Sequence, residues 1–379
     1  MIKKTVCLLL ISLLIFPLSG CWNYRGLNEM SIVTGVAIDK DPKSGNYQLS
    51  FEVVDLSVPI KEEGLNGIII ESEGKTLFDA VRNAKKRVTN KLYFGQAQIV
   101  VVSEEIARSG EISSIINWLL RNDECRETTN VIISQEKTAR DIIISKGIGQ
   151  GIVSTEIQEI VESDKKVTSS TLSVELYKAF NILKAKGKSL ALPAIHNVTN
   201  DGEPVVEVNG TAVFKDKKFI GYLTPDETKY YLFSIDEIKG GVLTFSSAGE
   251  GRDDVTLEIS RNITKSSFDF IDGKVKILIH TDTTVYLDEV GHNDALDEKQ
   301  IAALEDAAEA KLEYYISRVI QKVQSEYGSD IFGFGNMIYK KDLRLWNQLS
   351  DNWEEQFKVL EVEVQSSIQI INTGALEKS

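Results

Sequence analysis

Ser267-Phe268-Asp269-Phe270-Ile271-Asp272-Gly273-Lys274-Val275-Lys276-Ile277-Leu278-Ile279-His280 is the stretch that decides the fold class. Two alternating runs flank Asp272-Gly273, a pair suited to the two positive φ angles of a type I′ turn, so the stretch predicts a β-hairpin. Thr284 to Leu287 continues that sheet. Asp297, with Gln300 three residues later, has the form of a capping box. Beyond it Ile301, Leu304, Ala308, Leu312, Tyr315, Val319 and Val323 fall on one helical stripe that reaches about Tyr327. Gly328 to Gly335 reads as a loop, Leu343 to Leu349 and Asn352 to Phe357 as short helices, and Val359 to Ile371 as a closing alternating strand. Strands, one long helix and a final strand make an α+β unit.

Working back towards the N-terminus, Ile32 to Ile38 and Tyr47 to Val54 alternate about a turn-rich segment, which predicts a second hairpin. Ile68 to Ile70, Ala97 to Val102 and Thr129 to Ser134 read as strands. Thr76 to Val88, Glu104 to Arg121 with a break at Gly110, and segments 138–145, 153–163 and 171–186 read as helices. Gly187 to Pro204 is rich in Pro, Gly, Asn and Asp and marks a boundary. After it come short strands at Val205 to Val208, Gly210 to Phe214 and Phe219 to Leu223. Thr224-Pro225 begins a helix through Phe233, and strands resume at Val242 to Phe245 and Val255 to Ile259. The expectation is an α+β fold of three domains with mixed sheets and a long helix in the C-terminal domain. Residues 21–190 form an N-terminal α+β domain, 191–258 a small β-rich middle domain, and 259–379 a C-terminal α+β domain.

Residues 1–20 stand apart. Lys3 and Lys4 precede the apolar run Val6 to Phe16, and Leu18-Ser19-Gly20-Cys21 follows, the order of a secretory signal that ends in a lipoprotein cleavage box. Cleavage between Gly20 and Cys21 would leave Cys21 as the first mature residue, its thiol joined to diacylglycerol and its amine acylated. The run is too short to cross a bilayer and Pro17 interrupts it, and no later run approaches the roughly 18 residues a span requires. Cys7 leaves with the signal and Cys21 carries lipid, so Cys125 is left without an intramolecular disulfide partner.

The net charge is −13, which disfavours nucleic acid and anionic headgroups as partners of the surface as a whole. His196, His280 and His292 are isolated from one another and from cysteine, so no metal-ligand spacing arises. Gly74-Lys75-Thr76 and Gly187-Lys188-Ser189 resemble the end of a phosphate loop but have Ile69 and Ile182 where its first glycine belongs. Gly147 to Gly151 lacks dinucleotide-loop spacing, and there is no GxSxG elbow. The acidic patch Asp288-Glu289, Asp294, Asp297 and Glu298 departs from a calcium loop. Trp346 and Trp353 are candidates for a partner surface, weighed against simple packing of their helices on the terminal sheet. The residues describe an anchored interaction protein rather than an enzyme, with no cofactor or metal and no identified ligand-binding residue.

A family resemblance adds to this. Cys21-Trp22-Asn23-Tyr24-Arg25-Gly26-Leu27-Asn28 followed by Val33 to Asp41 resembles the lipidated start of the Ger(x)C family of spore germination lipoproteins. So do Leu92-Tyr93-Phe94-Gly95 leading into Ile99 to Ala107, Gly210 to Phe214 with Gly221-Tyr222-Leu223 and Glu227-Thr228, Gly328 to Gly335, Trp346 and Trp353. Gln96 departs from the histidine that members often carry. The resemblance implies the C subunit of a nutrient germinant receptor, without enzymatic activity. It would sit on the outer face of the spore inner membrane with integral-membrane A and B subunits as partners. The alternative is a lipid-anchored solute-binding protein of a transporter, a class built from two βα-repeating lobes.

Overall fold

The structure, a computed structural model, describes residues 29–56, 66–122, 124–149, 151–246, 254–291 and 296–372. The signal segment, Cys21, His292 and Asp294 lie outside these residues. The N-terminal elements are β1 (Met30–Lys40), β2 (Tyr47–Val54), β3 (Gly67–Gly74), α1 (Leu77–Ala84), β4 (Lys91–Tyr93), β5 (Ile99–Ser103), α2 (Glu104–Ser109), α3 (Ile112–Arg121), β6 (Asn130–Ser134), α4 (Arg140–Ile143), α5 (Val153–Val167) and α6 (Leu176–Lys184). Next come β7 (Ala191–Asn200), β8 (Glu203–Lys215), β9 (Lys218–Leu223) and α7 (Pro225–Ser234).

The first sheet runs β3-β2-β1-β5-β6-β7-β8-β9, with β4 beside the start of β1. Its centre, β1-β5-β6-β7, is parallel, and an antiparallel meander closes each flank. Both faces of the centre are covered, which is why Ile99-Val100-Val101-Val102 is a continuous apolar run rather than an alternating one. Val100 and Val102 pack with Ile112, Ile115 and Ile116 of α3 on one face. Ile99 and Val101 pack with Ile142, Ile157 and Val161 of α4 and α5 on the other.

The break expected at residues 190 and 191 falls inside this sheet. Strand β7 pairs with β6, so residues 191–223 extend the N-terminal sheet rather than forming a separate module. Pro193 gave Gly187 to Pro204 much of its linker character, and it sits where the β7–β8 register shifts, a bulge that tolerates a residue without an N–H.

The second sheet runs β10 (Val242–Phe245), β11 (Val255–Ile271), β12 (Lys274–Val290), β13 (Glu361–Asn372). Residues 242–258 belong to this sheet too, because β10 pairs with the start of β11, which pairs in turn with β12. Asp272 and Gly273 have φ of 51° and 77°, as the expected turn demands, and the hairpin arms reach 17 residues each. Helix α8 (Glu298–Lys322) starts from a complete capping box of Asp297 and Gln300 and lays Leu304, Ala308, Leu312, Ile316 and Val319 on the sheet. A π-helical turn, Val323–Tyr327, ends it at Gly328, and α9 (Phe334–Lys341), α10 (Leu343–Leu349) and α11 (Trp353–Lys358) follow. The protein is thus α+β, with two mixed sheets.

Strand β13 is an edge whose outward N–H groups face α8. Glu305, Glu309 and Glu313 lie one turn apart on the helix and accept the N–H of Ile370 (2.8 Å), Ile368 (2.8 Å) and Ser366 (2.9 Å). This carboxylate ladder occupies donors that an open edge would present to another strand.

Candidate functional site

The loop 328–335 is where the two sheets are joined. Gly328 takes a left-handed φ of 52° and turns the chain out of α8. Ser329 then donates to the Phe214 carbonyl of β8 (2.7 Å), the Asp330 carbonyl accepts the Ser189 N–H (2.8 Å), and Tyr231 of α7 donates to the Ile331 carbonyl (3.1 Å). The buried Asp330 carboxylate accepts from the N–H groups of Gly333 (2.7 Å), Phe334 (3.2 Å) and Gly335 (2.8 Å) and from Trp353 Nε1 (3.2 Å). It therefore satisfies the orphan donors at the start of α9. Burial pushes its pKa up to about 6, against the pull of those four donors.

Two glycines make the joint close. A side chain at Gly335 would sit 2.6 Å from Trp353 Cε2 and 2.9 Å from Gly187 Cα. One at Gly187, whose φ is 64°, would sit 2.6 Å from Trp346 Cη2. The Asn336 N–H and side chain bind the Gly187 and Lys186 carbonyls, so the segment that resembled a phosphate loop is a backbone dock. Lys188 beside it is half-buried, and desolvation lowers its pKa.

Trp346 and Trp353 are 5 % and 7 % exposed, with ring centroids 5.6 Å apart. They pack α10 and α11 against Gly187, Gly335 and Tyr339, and in this conformation they offer a partner almost no surface. Sequence spacing placed them one heptad apart but held no sign of the Asp330 contact that consumes the Trp353 N–H.

Other buried carboxylates are engaged in the same way. Asp39 accepts from Ala139 N (2.7 Å) and Arg140 N (3.0 Å) at the start of α4, and burial pushes it up to about 6. Glu52 on β2 accepts from Val153 N (2.7 Å), Ser154 N (2.8 Å) and Thr34 Oγ1 (3.1 Å) at the start of α5. Asp164 holds Ser170 N (2.8 Å) and Thr171 N (2.9 Å). Asp39 and Glu52 thus tie distant backbone segments together, and Asp164 closes a local turn after α5. His196 and His280 each face one carboxylate, of Glu207 and Asp282, at 3.1 Å. Among the described residues no group of three or more His, Cys, Asp or Glu is placed to hold a metal ion. Gln96 is exposed, and Asp297 serves as the N-cap of α8.

Burial, with Glu124 nearby, pushes the Cys125 thiol up to about 11. A thiol so far from ionisation is a poor nucleophile. Thermal unfolding with and without reductant is therefore expected to superimpose, and a midpoint that drops by several degrees on reduction would contradict it.

Comparisons with known proteins agree along the chain. Residues 23–197 match the family model described as "Spore germination protein N-terminal domain", and residues 209–374 match "Spore germination B3/ GerAC like, C-terminal". Spore germination protein KC of Bacillus subtilis (strain 168) is 24 % identical, the match covering 99 % of this chain and 97 % of that protein. Spore germination protein B3 of the same organism is also 24 % identical, covering 96 % and 97 %. Spore germination protein GerQC of Bacillus cereus is 21 % identical, covering 99 % and 100 %. The crystal structure of the GerBC protein shares the fold, with a TM-score of 0.60 at 20 % identity, covering 89 % of this chain and 97 % of that one.

Proposed function

The chain belongs to the Ger(x)C family of spore germination proteins, and from that premise we propose that it is the lipid-anchored, non-catalytic C subunit of a nutrient germinant receptor. It acts on the outer face of the spore inner membrane by pairing with integral-membrane A and B subunits. The observation that carries this reading is the end-to-end match to proteins named for spore germination. Two features support it. The buried carboxylates described above are bound to backbone N–H groups, where they hold segments together rather than face a substrate. Among the described residues no helix is long and apolar enough to cross a membrane, and the cleavage box Leu18-Ser19-Gly20-Cys21 supplies the attachment point proposed here. Confinement at a membrane raises the effective concentration of partners without new contacts. The solute-binding alternative would need two βα lobes about a cleft, whereas antiparallel meanders flank the first sheet and a long hairpin dominates the second.

Cys21→Ala is expected to abolish incorporation of a fatty-acid analogue, leave the precursor unprocessed or unanchored, and greatly weaken the nutrient response of spores. Label retained in the variant would overturn the anchor assignment. Co-purification of a tagged copy from spore membranes tests the partners directly.

A further inference from the structure

Where the described chain begins, the surface charge reverses sign. Residues 77–91 hold five basic side chains, Arg82, Lys85, Lys86, Arg87 and Lys91, against the single acid Asp79, in a chain of net charge −13. Arg82, Lys85 and Lys91 border an open groove of about 950 Å³, with Glu29 on its rim and Arg121 reaching in from the end of α3. Its apolar lining includes Val81, Val88, Leu92 and Trp118. Phe78 stands beside it 55 % exposed, with the Arg82 guanidinium 4.9 Å from its ring centroid. Lys91 pairs with Glu124, and Asp79 is held by the Lys75 N–H and by Asn83. Among the described residues no carboxylate pairs with Arg82, Lys85, Lys86 or Arg121.

We propose that this face lies on the membrane, its cations on anionic phospholipid headgroups and Phe78 in the interfacial layer. The tether argues for that occupant. Seven residues separate Cys21 from Glu29, a reach of at most about 29 Å when extended, so a lipid on Cys21 keeps the groove close to the bilayer. Charge argues the same way. The acidity of the whole chain acts at long range and is screened beyond about 8 Å, whereas each cation at an anionic surface strengthens binding about fivefold. Phe beside Lys and Arg on an interfacial helix buries its ring at the headgroup–acyl boundary.

This orientation rests on the anchored reading only for the position of the tether, and its test uses no lipid anchor. The chain from Trp22 onward is sedimented with phosphatidylcholine vesicles with and without about 30 % phosphatidylglycerol. Wild type is expected to prefer the anionic vesicles at least tenfold. The triple variant Arg82→Gln, Lys85→Gln, Arg121→Gln is expected to bind them roughly a hundredfold more weakly with an unchanged thermal midpoint. Arg82→Lys with Arg121→Lys should retain binding, because charge is what the surface reads. No preference for phosphatidylglycerol, or equal binding by wild type and the triple variant, would overturn the proposal. So would full displacement by soluble glycerol phosphate, which would make the groove a small-anion site. A failed acyl-labelling experiment at Cys21 would refute the anchor and leave this measurement intact.

Discussion

Asp330→Ala is expected to lower the stability of the protein by about 3–5 kcal/mol, a fall of roughly 4–7 °C in thermal midpoint for a chain of this size. The substitution removes one buried carboxylate and strands three backbone N–H groups and the Trp353 indole N–H at once. Hydrogen bonds to a charged acceptor contribute more than neutral ones, and the desolvation cost of each orphaned donor remains after the acceptor is gone. Asp330→Asn keeps one acceptor oxygen and should lose less. Calorimetry of the three proteins decides it, and an Ala variant within a couple of degrees of wild type would show that the loop does not hold the sheets together.

The same residue sets a pH dependence with a definite sign. Its folded pKa, about 6, lies above the ordinary aspartate value of 3.8, so the fold favours the protonated acid. The stability this contributes is fully present below about pH 4 and is lost as pH rises through 6. A shift of this size corresponds to about 3 kcal/mol. Wild type should therefore gain on this group's account between pH 7 and 4, and Asp330→Asn should gain less, the remainder belonging to Asp39, raised to about 6 by its own burial.

Glu52→Ala is the second large effect, expected at about 3–5 kcal/mol. Glu52 is 2 % exposed and provides acceptors for the first turn of α5 from a strand about a hundred residues earlier. Its loss leaves the Val153 and Ser154 N–H groups buried without an acceptor and opens a cavity beside Thr34. Hydrogen exchange is the telling measurement, since those two amides should exchange far faster in the Ala variant and partly recover in Glu52→Gln. Unchanged protection at both would sink the prediction.

These residues also show what one sequence can disclose. The Asp272-Gly273 hairpin, the Asp297-Gln300 cap and the Thr224-Pro225 helix start are all signals carried within four residues, and each formed as expected. The stripe along α8 was legible because helical period and burial agree over many turns. Sheet order was not. Whether β7 joins β6 or begins a new module depends on pairing across some sixty residues, and Pro193 pointed locally the wrong way. The joint was visible only as a glycine-rich stretch with a flanking pair of tryptophans, because nothing nearby says that the carboxylate of Asp330 will meet Trp353. Net charge concealed the basic groove for a related reason: it averages over a surface on which 77–91 is the local exception.

The ladder of Glu305, Glu309 and Glu313 along β13 works as a vernier. One rung is four residues of helix, about 6.0 Å, set against two residues of strand, about 6.6 Å. The mismatch is roughly 0.6 Å per rung, small enough for three successive hydrogen bonds and too large for a long series. The acids stop where the scales part, with Ile301 and Ser317 at the next helical positions on either side. Sliding β13 along its neighbour by two residues would require α8 to advance a full turn, against every apolar contact it makes with the sheet. The edge is closed over a fixed length, and that length sets the register of the strand that closes it.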